Sequence, residues 1–376
     1  MATFVPIWKQ AITQSPFSGK LFGRHKTAAF RVTVPAAGAA LRLRFSNRYG
    51  KSPYVFGSVV VSLGGKDHTV TMDGKARFSV PTGGSFSGDP LTLPVNPGDE
   101  AEVRLYYETY VIDGNVIEEN ASLLPGDRTH TPCCAGGVKG AALLQKAGVY
   151  NAIPSLESME LLTDAPLKTI VAFGDSITAM SQWTKPLAKR LQTETDGQYV
   201  LLNAGISGNC LLYERPDFLA PMFGDMGVKR FDRDVLDTPN LHTVIFALGV
   251  NDVAYYTEKT KEQLSLDAFR SAVTKIVDTL HARGVKVVIQ AITPRIGCSL
   301  VMGKYTKEME VQRLRFNDWI RTAGIFDGVF DAEAVVRAET PQGIIFRDDL
   351  HRGDRLHPNK RGGQMLADAY ELSMLI

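Results

Sequence analysis

The apolar residues change their period part-way along the chain, and that change constrains the fold more than any other feature. Up to about Tyr107, apolar and polar residues alternate in short segments: "LRLRFSN", with Leu41, Leu43 and Phe45 on one face, then "SVVVSL", "HTVTM", "ARFSV" and "AEVRLYY". Turn clusters such as "SLGGKD", "TMDGKA", "PTGGSFSGDP" and "PVNPGDE" separate them. A period of two puts successive side chains on opposite faces, and with such frequent Gly, Asp and Pro this part reads as an antiparallel β-sandwich. From Lys168 onward, "LKTIVAFG", "QYVLLNAG", "LHTVIFALG" and "GVKVVIQAIT" are nearly continuous apolar runs, as in strands buried on both faces. Helix-length segments lie between them. The clearest, "DAFRSAVTKIVDTLHARG", has apolar residues at helical spacing and stops at glycine. Strand alternating with helix implies a parallel sheet with right-handed crossovers.

Two domains are therefore expected, a sandwich over 1–160 and an α/β domain over 161–376, with the boundary inside "NAIPSLESMELLTDAPLKT". A chain of 376 residues is long enough for two cores. Hydrophobic content of 44% and charged content of 22% fit a soluble globular protein. A formal net charge of +2 gives no electrostatic case for nucleic acid or an anionic membrane as partner. No apolar stretch approaches the roughly 20 residues of a spanning helix. The opening "MATFVPIWKQAITQ" lacks a basic segment followed by an apolar one and a small-residue cleavage site, so the cytoplasm is the expected compartment. Four cysteines (Cys133, Cys134, Cys210 and Cys298) show no zinc-type spacing and are expected to be idle thiols.

In a parallel α/β sheet, ligands bind at the carboxyl ends of the strands. Those ends carry Gly174-Asp175-Ser176, Gly205-Ile206-Ser207-Gly208-Asn209, Gly249-Val250-Asn251-Asp252 and Thr293-Pro294-Arg295. Near the C-terminus, "HRGDRLHPNKRGG" places Asp354 and His357 just before a final helical segment. Together these supply the parts of an acyl-transfer site. Ser176 is the candidate nucleophile, His357 the base and Asp354 the group that orients it. The Ser176 and Gly208 amides and the Asn251 side chain are candidate oxyanion donors. Singly each piece is weak: a serine after a strand is more often a helix cap, and Asn-Asp more often a turn. His351 rivals His357, with Asp348 or Asp349 as its acid, but reads as a surface histidine. His25, His68, His130, His242 and His281 do not cluster like metal ligands. Asp175 and Asp252 read as local backbone acceptors, and Trp183, Tyr255 and Tyr256 as packing, with a sugar- or acyl-lining role as the alternative.

Taken together, "FGDSIT", "ISGN", "GVND" and "DRLHP" resemble blocks I, II, III and V of the SGNH (GDSL) hydrolase superfamily, in order and separation. "RLRFSNRYG", "RFDRDVL" and "IRTAGIFDGVFDAEAVVR" resemble one subgroup, in which a β-sandwich precedes the hydrolase domain. The resemblance implies a jelly-roll-like sandwich followed by a flavodoxin-like three-layer α/β/α domain. It also implies serine esterase or acylhydrolase chemistry with no metal or organic cofactor. By position, Ser176, Gly208, Asn251 and His357 are the four name-giving residues and Asp354 completes the triad. Two departures concern the pocket rim: relatives often have Asp-Gly where this chain has Ala179-Met180, and Gly or His where it has Arg355. The G-x-S-x-G elbow of the α/β-hydrolase fold is absent.

The expected activity is removal of a short acyl group, acetyl foremost, from an oligosaccharide or other small polar alcohol. One alternative is a lipid ester or acyl thioester, with Leu211, Leu212, Phe218, Leu219, Met222 and Phe223 lining an acyl groove; a short helical insertion core explains them as well. The remaining alternative, a non-catalytic carbohydrate-binding protein, has no replaced catalytic position in its favour.

Overall fold

The structure, a computed structural model, describes residues 2–14, 24–115, 122–127, 129, 153–214, 220–256, 264–298 and 305–376. Cys133, Cys134, His130, Phe218 and Leu219 lie outside the described residues, as do the side chains of Tyr255 and Tyr256. The chain forms two compact units. One is Met1–Leu167 with Thr195–Leu202 and Phe218–Gly224, the other Lys168–Glu194, Asn203–Asp217 and Asp225–Ile376.

The first unit contains β1 (Thr3–Lys9), β2 (Thr13–Gln14), β3 (Lys26–Thr33), β4 (Gly38–Ser46), β5 (Tyr54–Leu63), β6 (Lys66–Thr69) and β7 (Phe78–Val80). It continues with β8 (Ser85–Ser87), β9 (Leu91–Val95), β10 (Glu100–Tyr107), β11 (Asp113–Gly114), β12 (Ser122–Pro125) and β13 (Leu156–Thr163). One sheet runs β1-β13-β4-β8 with β9 also on β4, the other β12-β3-β10-β5-β6 with β7 also on β5. Their described pairings are antiparallel. Aromatic rings join the inner faces: Phe45 of β4 lies 5.1 Å from Phe56 of β5, and Trp8 of β1 lies 5.1 Å from Phe30 of β3. The period of two is visible in β4. Leu41, Leu43 and Phe45 are buried, while Arg42 and Arg44 face the other way and pair with Glu160 and Glu157 of β13. Strand β13 pairs with both β1 and β4 as far as Leu162, and the first unit's opening segment runs to Leu167, inside the boundary stretch.

From Lys168 the elements are β14 (Lys168–Gly174), α1 (Ser176–Ala179), α2 (Thr184–Glu194), β15 (Tyr199–Gly205), α3 (Ala220–Phe223) and α4 (Gly227–Phe231). The last continues into a π-helical turn at Asp232–Leu236. Then come β16 (Leu241–Ala247), a second π-helical turn at Asp252–Tyr256, α5 (Leu266–His281), β17 (Lys286–Gln290), α6 (Lys307–Thr322), β18 (Gly328–Phe330) and α7 (Ala332–Val336). A hairpin of β19 (Arg337–Thr340) and β20 (Gly343–Phe346) leads to α8 (Lys360–Ala369). The sheet order is β15-β14-β16-β17-β18, the flavodoxin-like order 2-1-3-4-5. From β14 across to β18 the pairings are parallel. Burial of β14 from Thr169 to Gly174 explains its unbroken apolar run. Helix α5 is capped by Ser265, whose hydroxyl accepts from Ala268 N at 2.9 Å, and buries Phe269, Val273, Ile276, Val277 and Leu280. The strand order reverses between β14 and β16, and that crevice is where such sheets bind ligands. No helix among the described residues is long and apolar enough to cross a membrane.

Candidate active site

Ser176 opens α1 directly beyond β14. Asp175 caps that helix, its Oδ1 accepting from Ile177 N at 3.0 Å, so the serine is held on a short, capped turn. Strand β15 lies tight against it. A Cβ on Gly205 would come within 2.3 Å of Ala179 N, so only glycine allows this approach. His357 arrives on the loop before α8. That loop is tied to the helix by Asn359, whose side chain accepts from Gly362 N and donates to the carbonyls of Asp349 and His351.

Ser176 and His357 are both buried, and the Ser176 hydroxyl lies 2.8 Å from His357 Nε2. On the other side of the ring, His357 Nδ1 donates to Asp354 Oδ2 at 2.7 Å. Asp354 Oδ1 accepts from the amides of Leu356 and His357 at 3.0 and 2.9 Å. Burial works to raise the Asp354 pKa. The hydrogen bond and charge of His357, with the two amides, outweigh it and bring the carboxyl down to about 2. The carboxylate therefore stays ionised and fixes the proton on Nδ1, which leaves Nε2 as the acceptor for the serine.

Gly208 sits at φ +72°, in the left-handed region that glycine enters freely, and this turns the chain after β15. Ile206 N donates to Gly174 O at 3.1 Å, so the loop carrying Gly208 starts against the nucleophile strand. Asn251 Nδ2 donates to Asn209 O at 3.1 Å, which places that amide beside the residue following Gly208. Asp252 reaches farther than a local acceptor. Its oxygens take the amides of Leu211 and Leu212 at 2.8 and 2.9 Å, binding the β16 end to the β15 loop. Burial raises the Asp252 carboxyl to about 6 against the pull of those amides. Burial also raises Asp175, to about 7, partly opposed by the Ile177 amide and the Arg295 charge and reinforced by Asp252.

Three residues matter more than their sequence context suggests. Arg295 is buried and donates to Asn251 Oδ1 at 3.3 Å, an arrangement that orients the amide with its NH2 toward Asn209. Arg230 is likewise buried, bonded to Gly174 O and Asn209 Oδ1. His351 is a correction: it is buried, not a surface residue. Its Nδ1 accepts from the amides of Gly353 and Arg355 at 2.8 and 3.2 Å, so it braces the loop that carries Asp354. Trp183 is fully buried and stacked on Tyr370, ring centroids 5.7 Å apart, as expected of a packing residue. Of the two departures, Arg355 lies at φ +56°, where glycine is at ease, and its side chain is held by Asp348. Met180 is buried, its sulfur 3.7 Å from Arg352 Nη1. Cys210 is buried, its Sγ 4.0 Å from Gly208 O, and Cys298 is half-buried. Among the described residues no group of three or more His, Cys, Asp or Glu side chains is placed to hold a metal ion.

A model of the GDSL-like lipase/acylhydrolase family matches residues 172–365, the stretch that contains Ser176, Gly208, Asn251, Asp354 and His357. The chain belongs to that family. It is a carboxylic ester hydrolase of the SGNH type with an antiparallel sandwich ahead of its α/β domain. No curated protein matches the chain. Among solved structures it is similar to a GDSL-like lipase from Bacteroides thetaiotaomicron, at 16% identity over 57% of this chain and 92% of that one, TM-score 0.41. A native aryl esterase from M. smegmatis is 17% identical over 54% and 95%, TM-score 0.41. A carbohydrate acetylesterase family member from Sinorhizobium meliloti is 18% identical over 56% and 99%, TM-score 0.41.

Proposed function

We propose that this hydrolase removes short acyl groups, acetyl foremost, from a carbohydrate or similar polar alcohol through an acyl-Ser176 intermediate. The observation that carries the chemistry is the line of groups Ser176–His357–Asp354, joined at 2.8 and 2.7 Å. Ser176 Oγ attacks the ester carbonyl as its proton passes to His357 Nε2, and Asp354 stabilises the resulting imidazolium. The carbonyl oxygen, now negative, is held by the amides of Ser176 and Gly208 and the side chain of Asn251. His357 returns the proton to the departing alkoxide. Water then attacks the acyl-enzyme with His357 again as base, which releases the acid and restores the serine.

The short acyl group is supported by what surrounds Leu211. That side chain is fully buried, and both it and Leu248 would lie 3.0 Å from a Cβ placed on Gly227. Phe223 is buried as well. Of the candidates for an acyl groove, Leu211 and Phe223 are thus taken up by packing, while Leu212 and Met222 are half-buried. The carbohydrate alcohol rests on fold-level analogy, since appended antiparallel sandwiches often present polysaccharides. Hydrolysis of p-nitrophenyl esters from acetate to decanoate, by wild type and Ser176→Ala, tests the proposal. Activity concentrated on acetate and abolished by the substitution is expected. Preference for decanoate would overturn the short-acyl reading in favour of a lipid ester or thioester, and an active Ser176→Ala would overturn the nucleophile.

A further inference from the structure

The "RFDRDVL" segment has no part in the acyl-transfer steps, yet its first residue enters the framework of the site. Arg230 is completely buried and every arm of its guanidinium is engaged. Nε donates to Asn209 Oδ1 at 3.0 Å, Nη1 to Ala204 O at 2.8 Å and Asp234 Oδ2 at 3.0 Å, and Nη2 to Gly174 O at 2.9 Å. The group also lies over the Phe173 ring, 4.2 Å from its centroid. Gly174 ends β14 two residues before Ser176, Ala204 lies near the end of β15, and Asn209 follows Gly208.

Past the direct bond from Ile206 N to Gly174 O the ladder between β14 and β15 ends, and twist carries neighbouring strands apart where the crevice opens. A planar group with five donors in fixed directions spans such a gap; a lysine ammonium, a single point on a flexible stem, does not. Asn209 then passes the constraint on. Its Nδ2 donates to Asp225 O at 2.8 Å, while its carbonyl accepts from Asn251 Nδ2 at 3.1 Å. A shift of Asn209 is therefore felt by the Gly208 amide on one side and by the Asn251 amide on the other. We infer that Arg230 is a positioning residue for ester hydrolysis: its fork fixes the nucleophile turn against the oxyanion loop so that the Ser176 amide, the Gly208 amide and Asn251 converge on one oxygen. This rests on the esterase reading above. Asp234, itself buried and also held by Arg233 Nε at 2.8 Å, keeps the cation paired.

The test uses full-length wild type, Arg230→Lys, Asn209→Ala and the double variant. It measures melting temperature, kcat and KM on p-nitrophenyl acetate, and the rate of Ser176 labelling by a fluorophosphonate. In that labelling Ser176 Oγ displaces fluoride at phosphorus and its proton goes to His357. Misplacing oxyanion donors should lower kcat per folded molecule by about 10- to 100-fold, less than outright removal of one donor, with KM within about threefold. Labelling should slow in parallel. Asn209→Ala should lower kcat comparably, and the double variant should be little worse than the weaker single one, because both changes cut one chain of contacts.

Loss of melting temperature with wild-type kcat per folded molecule and wild-type labelling would make Arg230 a stability residue only and overturn the inference. Additive losses in the double variant would also overturn it. Should Arg230→Lys fail to fold, an Asn209→Ala variant with unchanged kcat would overturn it equally. A wild type that neither cleaves any ester nor takes the label would instead overturn the esterase reading, and the positioning role with it.

Discussion

Two Asp-x-x-His pairs stand six residues apart on the loop before α8, and their hydrogen bonds run in opposite senses. In Asp354–His357 the acid receives the backbone donors: Oδ1 takes two amides and Oδ2 takes the ring Nδ1–H at 2.7 Å. His357 Nε2 is left to face Ser176. In Asp348–His351 the ring receives them. Nδ1 takes the amides of Gly353 and Arg355, and Nε2 reaches a mostly exposed Asp348 at only 3.4 Å. With both nitrogens committed to the loop, His351 has none to offer a reacting hydroxyl. Spacing alone does not leave a ring nitrogen facing a serine; what matters is which partner the backbone holds.

Removing each ring gives the sharpest contrast. His357→Ala should lower kcat by about 10⁴- to 10⁶-fold, the range for deleting a triad base. His351→Phe should act through loop order instead, with a loss of roughly tenfold at most and a lower melting temperature, since the part-buried amides of Gly353 and Arg355 lose their acceptor. His351→Asn, whose side-chain oxygen can take the place of Nδ1, should recover most of both. Steady-state kinetics beside thermal melts decide the matter, and comparable kcat losses for the two histidines would erase the distinction.

The acids should separate by a smaller but still large margin. Asp354→Asn keeps the shape but favours the wrong tautomer of His357, and a loss of about 10⁴ in kcat is expected. Asp348→Asn removes an exposed partner and should stay within about threefold, because solvent-exposed charges of this kind contribute little. A large kcat loss at Asp348 would show that the bracing pair reaches the chemistry after all.

The sequence shows the difference between these pairs only in part. Alternation in "LRLRFSN" and the unbroken run of "IVAFG" are direct consequences of one-sided and two-sided burial, so both sheets can be read from period alone. As candidates, Ser176, Gly208 and Asn251 are legible because they follow strand ends, and Asp354 and His357 because they stand just before the last helix, all in a known order. The supports are not. Arg230 and Arg295 look like ordinary surface charges in a chain of this composition, since arginine is almost never fully buried unless paired, and their partners are mostly carbonyls and amides that carry no sequence signal. His351 reads as a surface residue for the same reason: its partners are the backbone amides of Gly353 and Arg355. Arg355 at φ +56° explains why glycine suits that position, but a torsion angle is invisible in the letters.

The smallest expected effect concerns stability and shows how differently the site holds its carboxyl groups. Asp354 titrates at about 2 in the folded chain, below its ordinary 3.8, so its ionised form favours folding. That contribution is complete above pH 4 and fades as the pH falls toward 2. The drop corresponds to about 1–2 kcal/mol once partial exposure is allowed for, a melting deficit of a few degrees for Asp354→Asn at pH 7 that should close below pH 4. Asp175 has the opposite sign. Raised from 3.8 to about 7 by burial, it favours folding when protonated, and this contribution is lost as the pH climbs from about 4 through 7. Asp175→Asn preserves the acceptor for Ile177 N, so it should leave the melting temperature near wild type at pH 4 and raise it progressively toward pH 8. Scanning calorimetry of both variants across pH 2–8 reads the two trends against each other. Parallel curves would mean that the amides and ring around Asp354 do no more for its charge than burial does for Asp175.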